Sequence, residues 1–309
     1  MSLQEQFDGA VWSAASLRTR ATAGCWIAVI VVSAAAGCID APRTVLERLS
    51  EARRLTADLL VQFTKAADAA NRAVMADTDE ASVAFAREAE QATQAVQTDV
   101  DALGPILKGL DFSNEAHLLE EFGSRFAKYR ALDRSILELA VENTNLKAQR
   151  LSFGPAERAA DAFRNSLEAV TLLAPEKDIW HVKALVATAV AAVREIQVLQ
   201  APHIAESDEA AMTRIEERMV AAEMAARSAL KMLASLVPPS SRPKLTAATA
   251  VFDHFMALNA QIIGLSRRNS NVRSLALSLG EKRTLTAACE DSLGALQETL
   301  AKRGFTATR

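Results

Sequence analysis

Residues 126–154 read FAKYRALDRSILELAVENTNLKAQRLSFG, and residues 252–280 read FDHFMALNAQIIGLSRRNSNVRSLALSLG. The two stretches lie 252 − 126 = 126 positions apart, and ten of their 29 aligned residues are identical. Farther upstream, residues 77–81 (DTDEA) match residues 206–210 (ESDEA) at an offset of 206 − 77 = 129. The chain is therefore an internal duplication, and each copy carries the same helical unit.

The spacing of apolar residues predicts helices throughout. Apolar side chains recur every three or four residues through almost all of the chain after Pro42. Aromatic residues make up 5% of the 309 residues and only 8 are proline, which argues against strands. We expect an all-α fold with helices at about the following residues: 44–76, 79–109, 113–152, 156–174, 176–204, 207–237, 243–279 and 281–303.

The duplication also predicts the domain organisation. Each copy holds about four helices, and short connections make consecutive helices antiparallel neighbours around one core. Pro175 separates the two copies. We therefore expect an elongated tandem of two up-down four-helix bundles, formed by residues 43–174 and 175–309.

Residues 1–42 have the features of a signal or membrane-anchor segment. Arg18 and Arg20 precede an apolar run at residues 24–39, which is the order found in export signals. The run ends in AAGC, which resembles the lipobox of bacterial lipoproteins, and this resemblance implies lipidation of Cys38. An uncleaved N-terminal anchor helix and a buried soluble helix are the alternatives. The first two interpretations place the rest of the chain on the extracytoplasmic (periplasmic) side of a bacterial membrane.

Two asparagines interrupt the apolar stripe of the long third helix of each copy. Asn143 and Asn269 occupy the same position, and steps of three and four place both on the core side. A buried asparagine in such a seam commonly fixes which helices pair. The alternative is a pocket for an anionic ligand, lined by both asparagines and by Lys147 and Arg273 one turn later.

The first copy is the more polar of the two at this level, because Arg150 is matched by Ala276. We therefore expect Arg150 to belong to any ligand site, and we expect that site in residues 113–155 rather than 243–280.

Several function classes are disfavoured. A formal net charge of −3 and a pI near 5.9 provide no positive field for nucleic acid. The four histidines lie far apart, and neither a metal-ligand spacing, a phosphate-binding loop nor a nucleophile motif is present. We expect no enzymatic activity, no cofactor, no metal and no nucleic-acid partner. Cys289 is expected to be a small core residue.

Residues 143–155 (NTNLKAQRLSFGP) look like part of the periplasmic four-helix-bundle sensory domain of methyl-accepting chemotaxis proteins. The resemblance is clearest over residues 120–174 and weaker over 243–303. It implies a ligand-binding bundle that takes part in chemotactic signal transduction. Nothing after Arg43 is apolar enough to span a membrane, so we expect a sensory module without its own output domain.

Two functions follow as hypotheses. The first is a membrane-tethered sensory or ligand-binding bundle with a small-molecule ligand. The second is a structural or partner-docking spacer of the cell envelope that binds a helical protein or forms a homodimer. The two differ in whether a small molecule stabilises the fold.

Overall fold

Ten α-helices follow one another in the part of the chain that the computed structural model describes, residues 44–306, with side chains through residue 303. They are α1 Val45–Val74, α2 Asp79–Gly109, α3 Ser113–Glu142, α4 Thr144–Leu151, α5 Glu157–Thr171, α6 Ile179–Ala205, α7 Glu209–Leu236, α8 Arg242–Arg268, α9 Ser270–Leu277 and α10 Arg283–Thr306. These residues include no strand, so the all-α class is confirmed. The predicted anchor segment 1–42 and Cys38 lie outside the described residues.

Short polar side chains define where the first helices begin. Thr44 and Glu47 form a reciprocal capping box at the start of α1: the Thr44 amide donates to Glu47 Oε2 at 2.7 Å, and the Glu47 amide donates to Thr44 Oγ1 at 3.2 Å. At α2, the Ala81 amide donates to Thr78 Oγ1 at 3.1 Å. Thr78 is therefore the N-cap of α2.

The two long helices predicted at 113–152 and 243–279 are each broken once. Asn143 (φ 49°) and Asn269 (φ 54°) adopt the left-handed conformation, which ends α3 and α8 before α4 and α9 begin. Asparagine tolerates this conformation better than other non-glycine residues. A single π-helical turn then joins α4 to α5 at Ser152–Ala156, and an equivalent turn joins α9 to α10 at Ser278–Lys282.

Helices α1, α2, α3 and α10 pack around one hydrophobic core. Its centre is an aromatic cluster of Phe63, Phe122, Phe126 and Tyr129, with ring centroids 5.0 to 6.1 Å apart. The helix α10 contributes Cys289 together with leucines, and Cys289 is fully buried, as expected. We call these four helices the first group.

Helices α5, α6, α7 and α8 pack around a second core, and we call them the second group. Its aromatic contact is between Phe163 of α5 and Phe252 of α8, whose ring centroids lie 5.4 Å apart. Each group thus takes three helices from one copy and one helix from the other. The packing does not follow the predicted boundary between residues 43–174 and 175–309, because α5 and α10 lie in the opposite groups.

The exchange follows from the path of the chain through the breaks at Asn143 and Asn269. Since α4 and α9 are short, α3 and α5 fall in different groups, and so do α8 and α10. The helices α4 and α9 contact each other where the two chain paths cross. Among the described helices, none has the length and hydropathy needed to cross a bilayer.

Candidate functional site

The chain crossing is held by reciprocal hydrogen bonds between equivalent residues of the two copies. The Thr144 amide donates to Ser270 Oγ, and the Ser270 amide donates to Thr144 Oγ1, both at 3.0 Å. The amides of Asn145 and Asn271 donate to each other's Oδ1 at 3.2 Å. All these pairs are 126 residues apart, so equivalent residues face each other across a local twofold axis. We call residues 143–145 and 269–271 the junction.

The side-chain amides add a second layer to the junction. Asn145 Nδ2 donates to Asn269 Oδ1 at 2.7 Å, and Asn271 Nδ2 donates to Asn143 Oδ1 at 2.9 Å. On the surface nearby, Arg268 Nε donates to Glu142 Oε2 at 2.7 Å. The guanidinium of Arg268 lowers the pKa of Glu142 by this hydrogen bond. Glu142 and Arg268 are themselves equivalent residues, so the two copies have opposite charges at this position.

The junction asparagines form hydrogen bonds near the α6–α7 connection that have no counterpart near the α1–α2 connection. Asn145 Nδ2 also donates to the Ile204 carbonyl at 2.7 Å, and Asn269 Nδ2 donates to the Glu206 carbonyl at 2.8 Å. The Ile204 carbonyl is in the last turn of α6, and Glu206 is the first residue after that helix. Asn143 Nδ2, in contrast, is buried and has no hydrogen-bond partner among the described residues.

Arg150 occupies the equivalent acceptor in the first copy. By the 129-residue offset, the counterpart of the Glu206 carbonyl is the carbonyl of Asp77. Arg150 Nη2 donates to this carbonyl at 3.3 Å, and Arg150 Nη1 pairs with Asp79 at 3.2 Å. The second copy has Ala276 in place of Arg150, so nothing competes with Asn269 there.

These contacts favour the structural interpretation of the predicted site. Asn143 and Asn269 are buried, and the side-chain oxygen of each accepts a hydrogen bond from the opposite segment of the junction. Lys147 Nζ donates to the Glu142 carbonyl at 2.7 Å and so caps the end of α3. Arg150 and Arg273 are exposed. None of the five predicted residues lines the groove between α2 and α3 or the groove between α7 and α8.

Each group of helices has a groove at the equivalent place, between the second and third helices of the copy that supplies three of its four helices. The first groove lies between α2 and α3, has a volume of about 310 Å³, and is lined by Glu90, Thr93, Gln94, Arg130, Asp133, Arg134 and Leu137. The second lies between α7 and α8, has a volume of about 370 Å³, and is lined by Glu216, Met219, Val220, Glu223, Met256, Asn259, Ala260 and Ile263. The offsets of 126 and 129 superimpose the two linings.

The linings differ in chemistry at almost every shared position. Glu90 of the first groove corresponds to Met219 of the second, and Arg130 corresponds to Met256. Arg134 corresponds to Ala260, whereas Leu137 and Ile263 are both aliphatic. The duplication has therefore produced one groove with charges of both signs and one that is more apolar and has carboxylates as its charged groups.

A buried ion pair lies behind the first groove. Lys282 Nζ lies 2.7 Å from Asp133 Oδ1, and the two side chains are 2% and 4% exposed. Lys282 ends the π-helical turn before α10, and its Nζ lies 5.6 Å from the centroid of the Tyr129 ring. Burial raises the pKa of Asp133 even though Lys282 opposes this shift, and burial also raises the pKa of Tyr129.

The second group has neutral hydrogen bonds at the equivalent place. Asn259 corresponds to Asp133, and its Oδ1 accepts a hydrogen bond from Gln200 Nε2 at 2.9 Å. Ala156 occupies the position of Lys282. An ionised pair in the first group is thus replaced by an amide pair in the second.

The sequence reasoning missed the first groove and its ion pair, although one signal was present. Asp133 is four residues after Tyr129 and three before Ile136, which places a carboxylate on the core stripe of α3. A charge at such a position requires a partner. Lys282 could not be assigned as that partner, because it is 149 residues away and belongs to the other copy.

The described residues contain no cluster of three potential metal ligands, and the lone Cys289 thiol has its pKa raised by burial to about 12. Comparisons with protein-family models, with curated proteins and with solved structures gave no match.

Proposed function

We propose that this chain is an extracytoplasmic sensory module, tethered at its N-terminus, in which two four-helix bundles share exchanged helices and the first bundle binds a small polar ligand. The observation that carries this proposal is the contrast between the grooves. Arg130, Arg134 and Glu90 surround a concave surface in the first group, while the equivalent surface of the second is mostly apolar. The second groove contains the carboxylates of Glu216 and Glu223 but no cation, and structural packing alone does not require both signs of charge to meet in the first.

Two further features support a sensory role. Residues 143–155 resemble the sensory bundle of chemotaxis receptors, in which helical bundles bind small solutes. The residues that line the first groove are carried by α2 and α3, and α3 leads directly into the junction at Asn143. A ligand that alters the packing of α2 against α3 would therefore act on the element that connects the two groups.

The test is a thermal-unfolding screen of the full chain with amino acids, organic acids, nitrate and purines. A ligand that binds only the folded state, present at a free concentration of about 100 times its dissociation constant, adds about 2.7 kcal/mol to the free energy of unfolding. We expect at least one compound to raise the melting temperature, and we expect Arg134→Gln to reduce that rise. Lys128→Gln is the matched control, because Lys128 is also exposed on α3 but does not line the groove.

A structural spacer is the second candidate, and the junction favours it. The reciprocal bonds of Thr144 and Ser270 give the crossing a fixed geometry with no need for a ligand. If no compound stabilises the chain, or if Arg134→Gln leaves every stabilisation unchanged, the sensory proposal fails in favour of this one.

A further inference from the structure

The charges of the first groove are incompletely paired. Glu90 and Arg134 are both exposed, and neither side chain forms a hydrogen bond or an ion pair with another described residue. Arg130 Nη1 donates to Gln97 Oε1 at 2.8 Å and has no carboxylate partner there. The groove therefore offers two guanidinium groups and one carboxylate to a ligand.

The acidic side of the groove has a second component. Asp133 lines the groove from a position that is 3% exposed, and its partner Lys282 is the one cation paired with it in the described residues. Glu90 is close enough to Asp133 to raise its pKa further. Two carboxylates thus share the field of a single buried ammonium, and a second ammonium placed between them would relieve their repulsion.

The basic side lies along α3. Arg130 and Arg134 are one turn apart, so their side chains project from the same face of the helix. Planar guanidinium groups match the geometry of a carboxylate and can each donate two hydrogen bonds to it. Thr93 adds a buried hydroxyl oxygen without a hydrogen-bond partner among the described residues.

We propose that the first groove binds a small zwitterion, whose ammonium group lies against Glu90 and Asp133 and whose carboxylate lies against Arg130 and Arg134. This inference rests on the proposed sensory function and names the ligand class. A volume of about 310 Å³ suits a molecule with the size of an amino acid. A simple anion would leave the acidic side unpaired, and a simple amine would leave the basic side unpaired.

The experiment compares three matched probes on the full chain: L-leucine, 4-methylpentanoate, which lacks the amino group, and 3-methylbutylamine, which lacks the carboxylate. The same comparison with L-phenylalanine, 3-phenylpropanoate and 2-phenylethylamine tests another side chain. We expect at least one amino acid to raise the melting temperature, and we expect its dissociation constant from calorimetry to be at least about tenfold lower than those of its two fragments.

Two variants assign the two ends of the ligand. Glu90→Gln should weaken the amino acid by about tenfold and leave the corresponding acid unaffected, while Arg134→Gln should weaken the amino acid and leave the amine unaffected. Glu138→Gln and Lys128→Gln are the controls, since both residues are exposed on α3 and neither lines the groove.

The outcomes separate this inference from the proposed function. If an acid or an amine alone binds as tightly as the amino acid and responds to Arg134→Gln or Glu90→Gln, the sensory function stands and the zwitterion is wrong. If an amino acid binds equally well to both variants, the groove assignment is wrong. If neither these probes nor the wider screen stabilises the chain, both proposals are overturned.

Discussion

The two copies keep the same framework but differ in the polarity of their interiors. Ser278 Oγ donates to Asn71 Oδ1 at 3.1 Å in the first group, and Ser152 Oγ donates to Gln200 Oε1 at 2.7 Å in the second. These serines are equivalent residues in the two π-helical turns. The first group also has the Asp133–Lys282 ion pair, where the second has the hydrogen bond from Gln200 to Asn259.

This comparison separates residues that maintain the fold from residues free to specialise. The junction and the π-helical turns are present in both copies, because the crossing requires both sides to match. The groove linings are under no such constraint, and the copies diverge there. Substitutions at the ion pair, at the junction and at Arg150 are expected to have progressively smaller effects.

The ion pair of the first group should be the most sensitive point of the fold. Lys282→Met leaves the Asp133 carboxylate buried without a cation, and we expect the free energy of unfolding at pH 7 to fall by about 3 to 5 kcal/mol. Denaturant unfolding measures this change. The double variant Asp133→Leu/Lys282→Met removes both charges and should recover most of the loss.

The pH dependence of Lys282→Met gives an independent check. Asp133 already has a raised pKa in the folded protein, and loss of Lys282 removes an interaction that lowers it. A carboxyl group whose folded pKa exceeds its unfolded value of about 3.9 stabilises the fold most below that value, and this contribution is lost as the pH rises through the folded pKa. The deficit of the variant should therefore shrink from pH 7 to pH 4.5. A pH-independent deficit would show that lost packing, rather than the charge, is responsible.

The sequence predicts the helices well and the connections between groups poorly. The spacing around Phe126 and Phe252 identifies an apolar face but not the helices that cover it, because the duplicated cores offer α5 and α10 nearly the same partners in either copy. The break at Asn143 has a stronger local signal, since the repeated N-T-N and N-S-N triplets place residues that tolerate left-handed backbone at the same point. The groove escapes prediction because its two walls, α2 and α3, are defined only by their packing.

The second prediction compares two equivalent junction residues. The Asn145 side chain bonds to Ile204, Asn269 and Asn271, whereas the Asn271 side chain bonds, within residues 44–303, only to Asn143 and Asn145. We expect Asn145→Ala to lower the free energy of unfolding by about 2 to 3 kcal/mol and Asn271→Ala by about 1 to 2 kcal/mol, because each leaves buried polar groups unpaired. Denaturant unfolding of both variants measures the difference.

Gln149→Ala is the control for this pair, since Gln149 is exposed on α4 and its side chain forms no hydrogen bond with the other described residues. Its effect should stay within about 0.5 kcal/mol. Equal losses for Asn145→Ala and Asn271→Ala would mean that the Ile204 carbonyl contributes nothing, and the contrast between the α6–α7 and α1–α2 connections would lose its support.

The smallest expected effect concerns the competition between Arg150 and Asn143. Arg150 forms a partly exposed ion pair with Asp79, so Arg150→Ala alone should change the free energy of unfolding by less than about 1 kcal/mol. It also releases the Asp77 carbonyl, which then becomes available to Asn143 Nδ2, as the Glu206 carbonyl is to Asn269.

Glycine tolerates the left-handed conformation at position 143, so Asn143→Gly removes the amide without backbone strain. We expect Asn143→Gly to cost about 0.5 to 1.5 kcal/mol more in the Arg150→Ala background than in the parent, because a new hydrogen bond is then lost. Asn269→Gly, for which position 276 is already alanine, should show the larger cost without any further change. A coupling of zero between positions 143 and 150 would mean that Arg150 does not keep the Asn143 amide unpaired, and the difference between the two sides of the junction would then need another cause.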